Sequence, residues 1–206
     1  MRSITDESSV PGYLRFDINA HIEGLSKIIR RCSQNGWSVS LFTMMPDRIS
    51  RDQRLIHPLV HGPVTRTFIR LITRVVRRPN SRFGMGKKPI PILIGAADLP
   101  VPKRRTDKGA GTDPDVDGGL HFHGLLAIPP DSRLRDQSVG EHFTKCDGVY
   151  RQGGGIARIH IAPVDPNTIG DVMQYCCKTI CRGTLGFDES IVVLPRAPSE
   201  LSRWRP

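Results

Sequence analysis

Two histidines separated by one residue have the clearest chemical potential in this sequence. His121 and His123 lie in the apolar segment 120–128, whose composition is typical of a β-strand. Alternate residues of a strand project to the same side, so both imidazoles face one way while Phe122 faces the other. Two imidazoles held side by side form half of a metal site. The alternative is a pair of hydrogen-bonded structural histidines, because unpaired imidazoles are costly to bury.

A tyrosine and a lysine three residues apart form a second candidate site. Segment 167–182 is predicted to be a helix that ends at Gly183. Tyr175 and Lys178 are then neighbours on the helix surface, beside its apolar stripe. A tyrosine hydroxyl can act as a covalent nucleophile when a cation assists it, and a lysine one turn away neutralises the charge of a phosphate. The structural alternative is a half-buried tyrosine beside a lysine whose stem lies along apolar surface.

The helices and strands that would position these side chains alternate along the chain. Helical spacing of apolar residues predicts helices over 17–35, 63–78 and 167–182. Strands are predicted over 37–45, 90–97, 120–128, 155–163 and 191–194. This pattern predicts an α+β fold, with a central antiparallel β-sheet of about five strands and flanking helices mainly on one face. The expected division is a leader and helix (1–36), a sheet-containing domain (37–194) and a flexible C-terminal tail (195–206).

Positive charge is concentrated upstream of the histidine strand. The net charge is +10, 23 of the 30 basic residues are Arg, and residues 53–97 contain no Asp or Glu. Four arginines share one face of the helix predicted over 63–78, namely Arg66, Arg70, Arg74 and Arg77. An arginine row without balancing acids predicts contact with a phosphate backbone, for which the planar guanidinium is well suited. The alternative is an ordinary solvated charged face.

Composition argues against several classes of protein. No segment approaches 18 consecutive apolar residues, which argues against a membrane-spanning helix, and the N-terminus lacks the apolar core of a signal peptide. Five cysteines, two of them adjacent, do not suggest a disulfide framework, so we expect a cytoplasmic protein. The sequence contains no Gly-x-x-x-x-Gly-Lys-Ser/Thr segment, so a helicase activity would have to come from another protein.

The two motifs together resemble the HUH endonuclease superfamily, in which a His-hydrophobic-His strand accompanies a catalytic tyrosine. Here the tyrosine follows the histidines by about 50 residues, an order similar to that of rolling-circle replication initiators (Rep) with a single catalytic tyrosine. Single-tyrosine transposases of the superfamily often have Gln where this chain has Lys178. Residues 39–46 (VSLFTMMP) are similar to the weaker first motif of the family. The resemblance spans roughly residues 37–182.

The resemblance implies a ferredoxin-like HUH/Rep fold and a divalent cation, either Mg²⁺ or Mn²⁺. It implies that His121 and His123 are metal ligands and that a third, acidic ligand lies on the preceding strand. Asp98 is similar in position to this third ligand, and Asp115 and Asp117 are alternatives that lie closer to the histidine pair in sequence. All three acids stay open as candidates at this point.

The implied function is metal-dependent, site-specific nicking and joining of single-stranded DNA that initiates rolling-circle replication. Tyr175 would form a 5′-phosphotyrosine intermediate, and Lys178 would steady the phosphate or the tyrosinate. The arginine-faced helix would hold the DNA backbone. The expected partners are single-stranded DNA from an origin or element end and a separate helicase, with no membrane. The alternatives are a single-tyrosine HUH transposase, a non-catalytic basic nucleic-acid-binding protein and another type of His-x-His metalloenzyme.

Overall fold

Among the residues that the structure describes, five antiparallel strands form one central sheet. The computed structural model describes residues 12–47, 53–75, 89–99, 120–134, 137–153 and 155–196. The strands are β1 (Ser38–Met45), β2 (Ile92–Asp98), β3 (His121–Ile128), β4 (Arg158–Pro163) and β5 (Ile191–Leu194). Their order across the sheet is β4-β1-β3-β2-β5, so β3 is central and β4 and β5 are the edges. The predicted α+β fold with an antiparallel sheet of about five strands is confirmed.

Helices precede the first strand and lie between later strands. They are α1 (Gly12–Gln34), α2 (Gln53–Val75), α3 (Val139–Lys145), α4 (Asp147–Arg151), a 3₁₀ turn (Pro166–Thr168), α5 (Ile169–Cys176), α6 (Lys178–Cys181) and α7 (Phe187–Ser190). Within the described part of the chain, no helix combines the length and the apolar character needed to cross a bilayer.

All three predicted helices have different bounds in the structure. The helix predicted over 17–35 runs from Gly12 to Gln34. The helix predicted to start at residue 63 begins at Gln53 and continues through Pro58 and Pro63. A proline inside a helix removes one backbone hydrogen bond, so the sequence favours a start at Pro63. Buried Val60 and Val64 lie on either side of that proline, and their packing offsets the lost bond. The helix predicted over 167–182 is interrupted between α5 and α6.

Alternate residues of the strands supply two separate apolar cores. On one face of the sheet, Phe42, Phe122 and Leu126 pack with buried side chains of α2, α3 and α4. On the other face, Ile94 and Leu125 pack with buried side chains of α1, α5 and α6. Helices therefore cover both faces, and the prediction that they lie mainly on one face is wrong. Strand alternation identifies two faces, but it does not reveal which helix covers each of them.

The first helix is part of the same core as the sheet. Ile22, Ile29 and Cys32 of α1 are buried and pack with strand residues and with α5. The helical part of the predicted N-terminal segment (1–36) thus shares one core with the sheet. Residues 1–11 of the leader and 197–206 of the tail lie outside the described residues.

Candidate active site

A cavity of about 530 Å³ lies beside the first half of β3. It is lined by five of the side chains predicted as candidates for catalysis or metal binding, namely Asp98, His121, His123, Tyr175 and Lys178. The fold brings them together from β2, β3, α5 and α6. The two motifs, which are distant in sequence, therefore face the same space.

The register of the strands places Asp98 beside the histidines. In the ladder between β2 and β3, Asp98 is opposite His121 and Ala96 is opposite His123. Residues directly opposite each other in neighbouring strands project to the same face of the sheet. This face is the one that α5 and α6 cover. Asp98, His121 and His123 are thus directed toward the helices that carry Tyr175 and Lys178.

His123 has a partner at each ring nitrogen. Its Nδ1 lies 3.1 Å from Oγ1 of Thr43 on β1, and its Nε2 lies 3.4 Å from Oδ2 of Asp98. The His121 ring is stacked beside it, with 5.8 Å between the ring centroids and 12° between the planes. His123 is buried, whereas His121 is partly exposed. The two partners of His123 hold its ring in one orientation.

Asp98 is a buried carboxylate with three partners. Thr179 donates a hydrogen bond to Oδ1 at 2.5 Å, and Lys178 Nζ lies 2.7 Å from Oδ2. Burial alone would raise the pKa of Asp98, but hydrogen bonds with His123, Lys178 and Thr179 outweigh burial and hold the pKa well below its ordinary value. Burial would lower the pKa of Lys178, but its interactions with Asp98 raise that pKa above its ordinary value. The two groups therefore form a carboxylate–ammonium pair at neutral pH.

Tyr175 lies next to this pair with its ring half exposed. The residue is 46% exposed, and its ring centroid is 5.2 Å from that of His123. Lys178 Nζ lies 4.2 Å from the centroid of the Tyr175 ring, which is a cation–π distance. Tyr175 is in the last turn of α5 and Lys178 begins α6, so the break at Cys177 separates them in the chain. An accessible tyrosine beside an ammonium group is a suitable nucleophile for an anionic ester.

The side chains at the cavity include the types of ligand that bind divalent cations. Imidazole and carboxylate are both ligands for ions such as Mn²⁺, and carboxylate oxygens also suit Mg²⁺. Across the described ranges, no three His, Cys, Asp or Glu side chains are gathered closely enough to hold a metal ion. The Asp98 carboxylate instead contacts Lys178 and Thr179. His121, His123 and Asp98 thus offer the donor types of a cation site on one face of the sheet, and holding an ion would require their side chains to lie closer together than they do in this structure.

The arginine row predicted to bind DNA lies on the opposite face of the sheet. α2 carries this row and packs in the core that contains Phe122, whereas His121 and His123 project to the other face. Arg66 and Arg74 are exposed on α2. Arg77 lies outside the described residues. Of this row, the structure therefore does not bring Arg66, Arg70 or Arg74 to the cavity.

Arg70, which belongs to the same row, forms hydrogen bonds within the protein. Its Nη1 donates hydrogen bonds to the backbone carbonyl oxygens of Val149, Tyr150 and Gln152, at 3.0, 3.1 and 2.5 Å. These carbonyls lie at the C-terminal end of α4, where the last carbonyl groups of a helix lack partners within it. Arg70 thus ties α2 to α4.

Three residues of the site were not predicted from the sequence, namely Thr43, Thr179 and Arg158. Thr43 contacts His123, Thr179 contacts Asp98, and Arg158 lines the cavity from β4. Thr43 lies within the segment 39–46 that resembles the first family motif, and Thr179 follows Lys178 directly. Their types carry no specific signal, because threonine is common in strands and at helix ends and its hydroxyl partner depends on the tertiary fold.

Two other acids and a second tyrosine also have to be placed relative to the site. Asp115 and Asp117, the alternative third ligands, lie outside the described residues, so Asp98 is the candidate that the structure places at the histidines. Tyr150 is fully buried, and its hydroxyl lies 2.6 Å from Nε2 of His142. This tyrosine is on the α2 face of the sheet and has a structural role.

No family model, curated protein or solved structure matches this chain.

Proposed function

We propose that this protein is a metal-dependent endonuclease of the HUH/Rep type, which nicks and rejoins single-stranded DNA through Tyr175. The observation that supports this proposal best is the position of Tyr175. Its half-exposed ring lies 5.2 Å from the His123 ring and 4.2 Å from Lys178 Nζ, at a cavity open to substrate. A nucleophile, a cation and the histidine pair are therefore within reach of one phosphate.

The reaction would be a displacement at phosphorus. The hydroxyl oxygen of Tyr175 forms a bond to the phosphorus of a phosphodiester, and the bond from phosphorus to the 3′ oxygen breaks. The tyrosine gives up its proton, and the departing 3′ oxygen takes up a proton. The products are a free 3′-OH and a 5′-phosphotyrosine. Because the phosphotyrosine is still an ester, a 3′-OH can attack it and rejoin a strand.

Residues around the nucleophile would stabilise the charge that this reaction develops. His121, His123 and Asp98 would hold Mg²⁺ or Mn²⁺, which supplies Lewis-acid polarisation of a phosphate oxygen when bound. Lys178 stabilises negative charge on the tyrosine oxygen and on the phosphate by Coulomb attraction. Thr43, through its contact with His123, would orient a ligand, as hydrogen-bond partners of metal ligands commonly do.

The biological role that we infer is the initiation of rolling-circle replication in the cytoplasm. The Tyr-x-x-Lys spacing favours this role over transposition, which uses the same chemistry. The DNA partner would be a single-stranded origin, and strand separation would come from a separate helicase.

The test is covalent capture on single-stranded oligonucleotides drawn from rolling-circle origins and transposon ends, with Mn²⁺ or Mg²⁺ present. A 3′-labelled strand should migrate with the protein after denaturation, because the phosphotyrosine is on the downstream fragment. A 5′-labelled strand should yield a shorter product that a polymerase can extend from its 3′-OH. EDTA and Tyr175→Phe should both abolish these products.

Tyr150→Phe is the matched tyrosine control, because Tyr150 is buried away from the cavity. This variant should still form the adduct. Absence of any adduct from the wild type on all strands would contradict the proposed function. An adduct that survives Tyr175→Phe would show that another residue is the nucleophile. Capture on transposon ends alone would favour the transposase alternative, and binding without an adduct would favour the non-catalytic one.

A further inference from the structure

The edge strand β4 presents two basic side chains to the cavity. Arg158 is opposite Met45 and His160 is opposite Thr43 in the ladder between β1 and β4. Residues two apart on a strand project to the same side, so Arg158 and His160 share the face of Thr43. Both are exposed, and both line the cavity that contains Tyr175. We call these two residues the β4 rim.

Arg158 of the β4 rim carries a positive charge that none of the described residues neutralises. Within the described part of the chain, no hydrogen bond or ion pair engages the Arg158 guanidinium. Asp98 is the only acidic residue among the described residues that line the cavity, and Lys178 already pairs with it at 2.7 Å. Among the described residues, Arg158 is therefore a cation without an acidic partner, and the one carboxylate at the cavity is already paired with Lys178.

The distance from the β4 rim to the histidines suits a single strand of DNA that passes Tyr175. β1 separates β4 from β3, so the β4 rim lies two strand spacings, about 10 Å, from the histidine pair. This separation between the strand backbones leaves room for the phosphate under attack beside the histidines and for a neighbouring phosphate of the same DNA chain beside the β4 rim. An exposed guanidinium binds a phosphodiester through paired N–H groups.

We propose that the β4 rim binds the backbone of single-stranded DNA next to the phosphate that Tyr175 attacks. The DNA then crosses β4 and β1 before it reaches the cavity, and it does not follow the arginine row of α2. This inference rests on the proposed function for its ligand and names the surface on which that ligand lies. The arginine row is on the opposite face of the sheet, and Arg70 there is occupied by backbone carbonyls.

The test compares Arg158→Gln with Arg66→Gln, which removes the same charge from the opposite face. Both are made in the full chain with Tyr175→Phe, so that binding is measured without covalent capture. The probe is a fluorescent single-stranded oligonucleotide in EDTA, titrated at several salt concentrations. Arg158→Gln should weaken binding about three- to tenfold and reduce the slope of log affinity against log salt by about 0.7, the value for one phosphate contact on a single strand. His160→Ala should also weaken binding, and Arg66→Gln should change neither quantity.

Equal affinity and equal slope for Arg158→Gln and its Tyr175→Phe parent would overturn the inference. A loss of DNA affinity that occurs only in Arg66→Gln and Arg74→Gln would also overturn the inference, because it would place the DNA on α2. The adduct assay separates this failure from failure of the proposed function. A wild type that forms the adduct while Arg158→Gln binds normally contradicts only the β4 rim. A wild type that forms no adduct while Arg158→Gln binds weakly contradicts only the nicking chemistry.

Discussion

Lys178 Nζ lies 2.7 Å from Oδ2 of Asp98, a carboxylate that is a candidate for the third metal ligand. The same ammonium lies 4.2 Å from the centroid of the Tyr175 ring. One lysine thus links the acidic group of the cavity to the tyrosine. A metal ion that uses Asp98 would have to compete with Lys178 for this carboxylate, and the released lysine would be available to a phosphate.

Replacing Lys178 with Met should therefore tighten the binding of Mn²⁺ in the absence of DNA. We expect an increase in affinity of roughly tenfold, equivalent to about 1.4 kcal/mol, because Asp98 no longer has to give up an ion pair. Isothermal titration or the electron paramagnetic resonance signal of free Mn²⁺ measures this change. In an Asp98→Asn background the same Lys178→Met change should have little effect. An equal gain in both backgrounds would mean that Lys178 only repels the ion.

Replacing Thr179 with Val should destabilise the protein, because Oδ1 of the buried Asp98 loses its hydrogen-bond donor. The expected loss in the free energy of unfolding is about 1–3 kcal/mol, the usual cost of leaving a buried polar group without a partner. Urea unfolding followed by circular dichroism measures it. Thr179→Ser keeps the hydroxyl and should lose less than Val. If Ser and Val are equally destabilising, packing of the methyl group rather than the hydrogen bond accounts for the effect.

Replacing Arg70 with Ala should reduce stability, whereas the same change at Arg66 should not. Arg70 donates to three backbone carbonyls at the end of α4, so its loss should cost about 1–3 kcal/mol. Arg66 is exposed on the same helix, and its replacement should stay within about 0.5 kcal/mol. Thermal and urea unfolding of the two variants side by side give the comparison. Equal stabilities would show that the Arg70 hydrogen bonds are not important for the fold.

Replacing Gly95 with Ala should distort the strand that carries the histidines. Gly95 is opposite Gly124 in the ladder between β2 and β3, and a Cβ at Gly95 would collide with the carbonyl oxygen of His123 and with the backbone of Gly124. We expect a loss of about 1–3 kcal/mol in urea unfolding and weaker metal binding. Gly24→Ala in α1 is the control, because its Cβ would meet no atom within 4 Å. This change should stabilise the protein by up to about 1 kcal/mol.

The stability of the protein should fall in mild acid because of His142. In the folded state the pKa of His142 lies below its ordinary value, mainly because the side chain is buried and also because the positive charge of Arg74 disfavours protonation. As the pH falls, His142 therefore takes up a proton in the unfolded chain before it does so in the folded protein. The contribution of neutral His142 to the free energy of unfolding is fully present above about pH 6.5. It is lost below that pH, by at most about 1.4 kcal/mol per pH unit.

Urea unfolding between pH 5 and pH 8 measures this dependence. His142→Gln should flatten it, and the exposed His160→Gln should leave it as in the wild type. An unchanged pH dependence in His142→Gln would assign the effect to other groups.

The local sequence determined which residues share a side of each element. Strand alternation places His121 and His123 on one side of β3, and the i, i+3 spacing brings Tyr175 and Lys178 close on the helix surface even though the helix breaks between them. The apolar stripe of α2, from Val64 to Val75, is buried as its spacing predicts. These relations depend only on the number of residues per turn of a helix and on the alternation of a strand, so they can be predicted from the sequence.

Only the tertiary structure decided which faces meet. It placed Tyr175 over the histidines, paired Asp98 with Lys178 and Thr179, and put the arginine row of α2 on the opposite side of the sheet. It also brought Arg158 of β4 to the cavity, which no motif indicates. The physical reason is that a helix can pack on either face of a sheet at similar local cost. The choice between the faces follows from the burial of all the helices together and from the path of the connections between them.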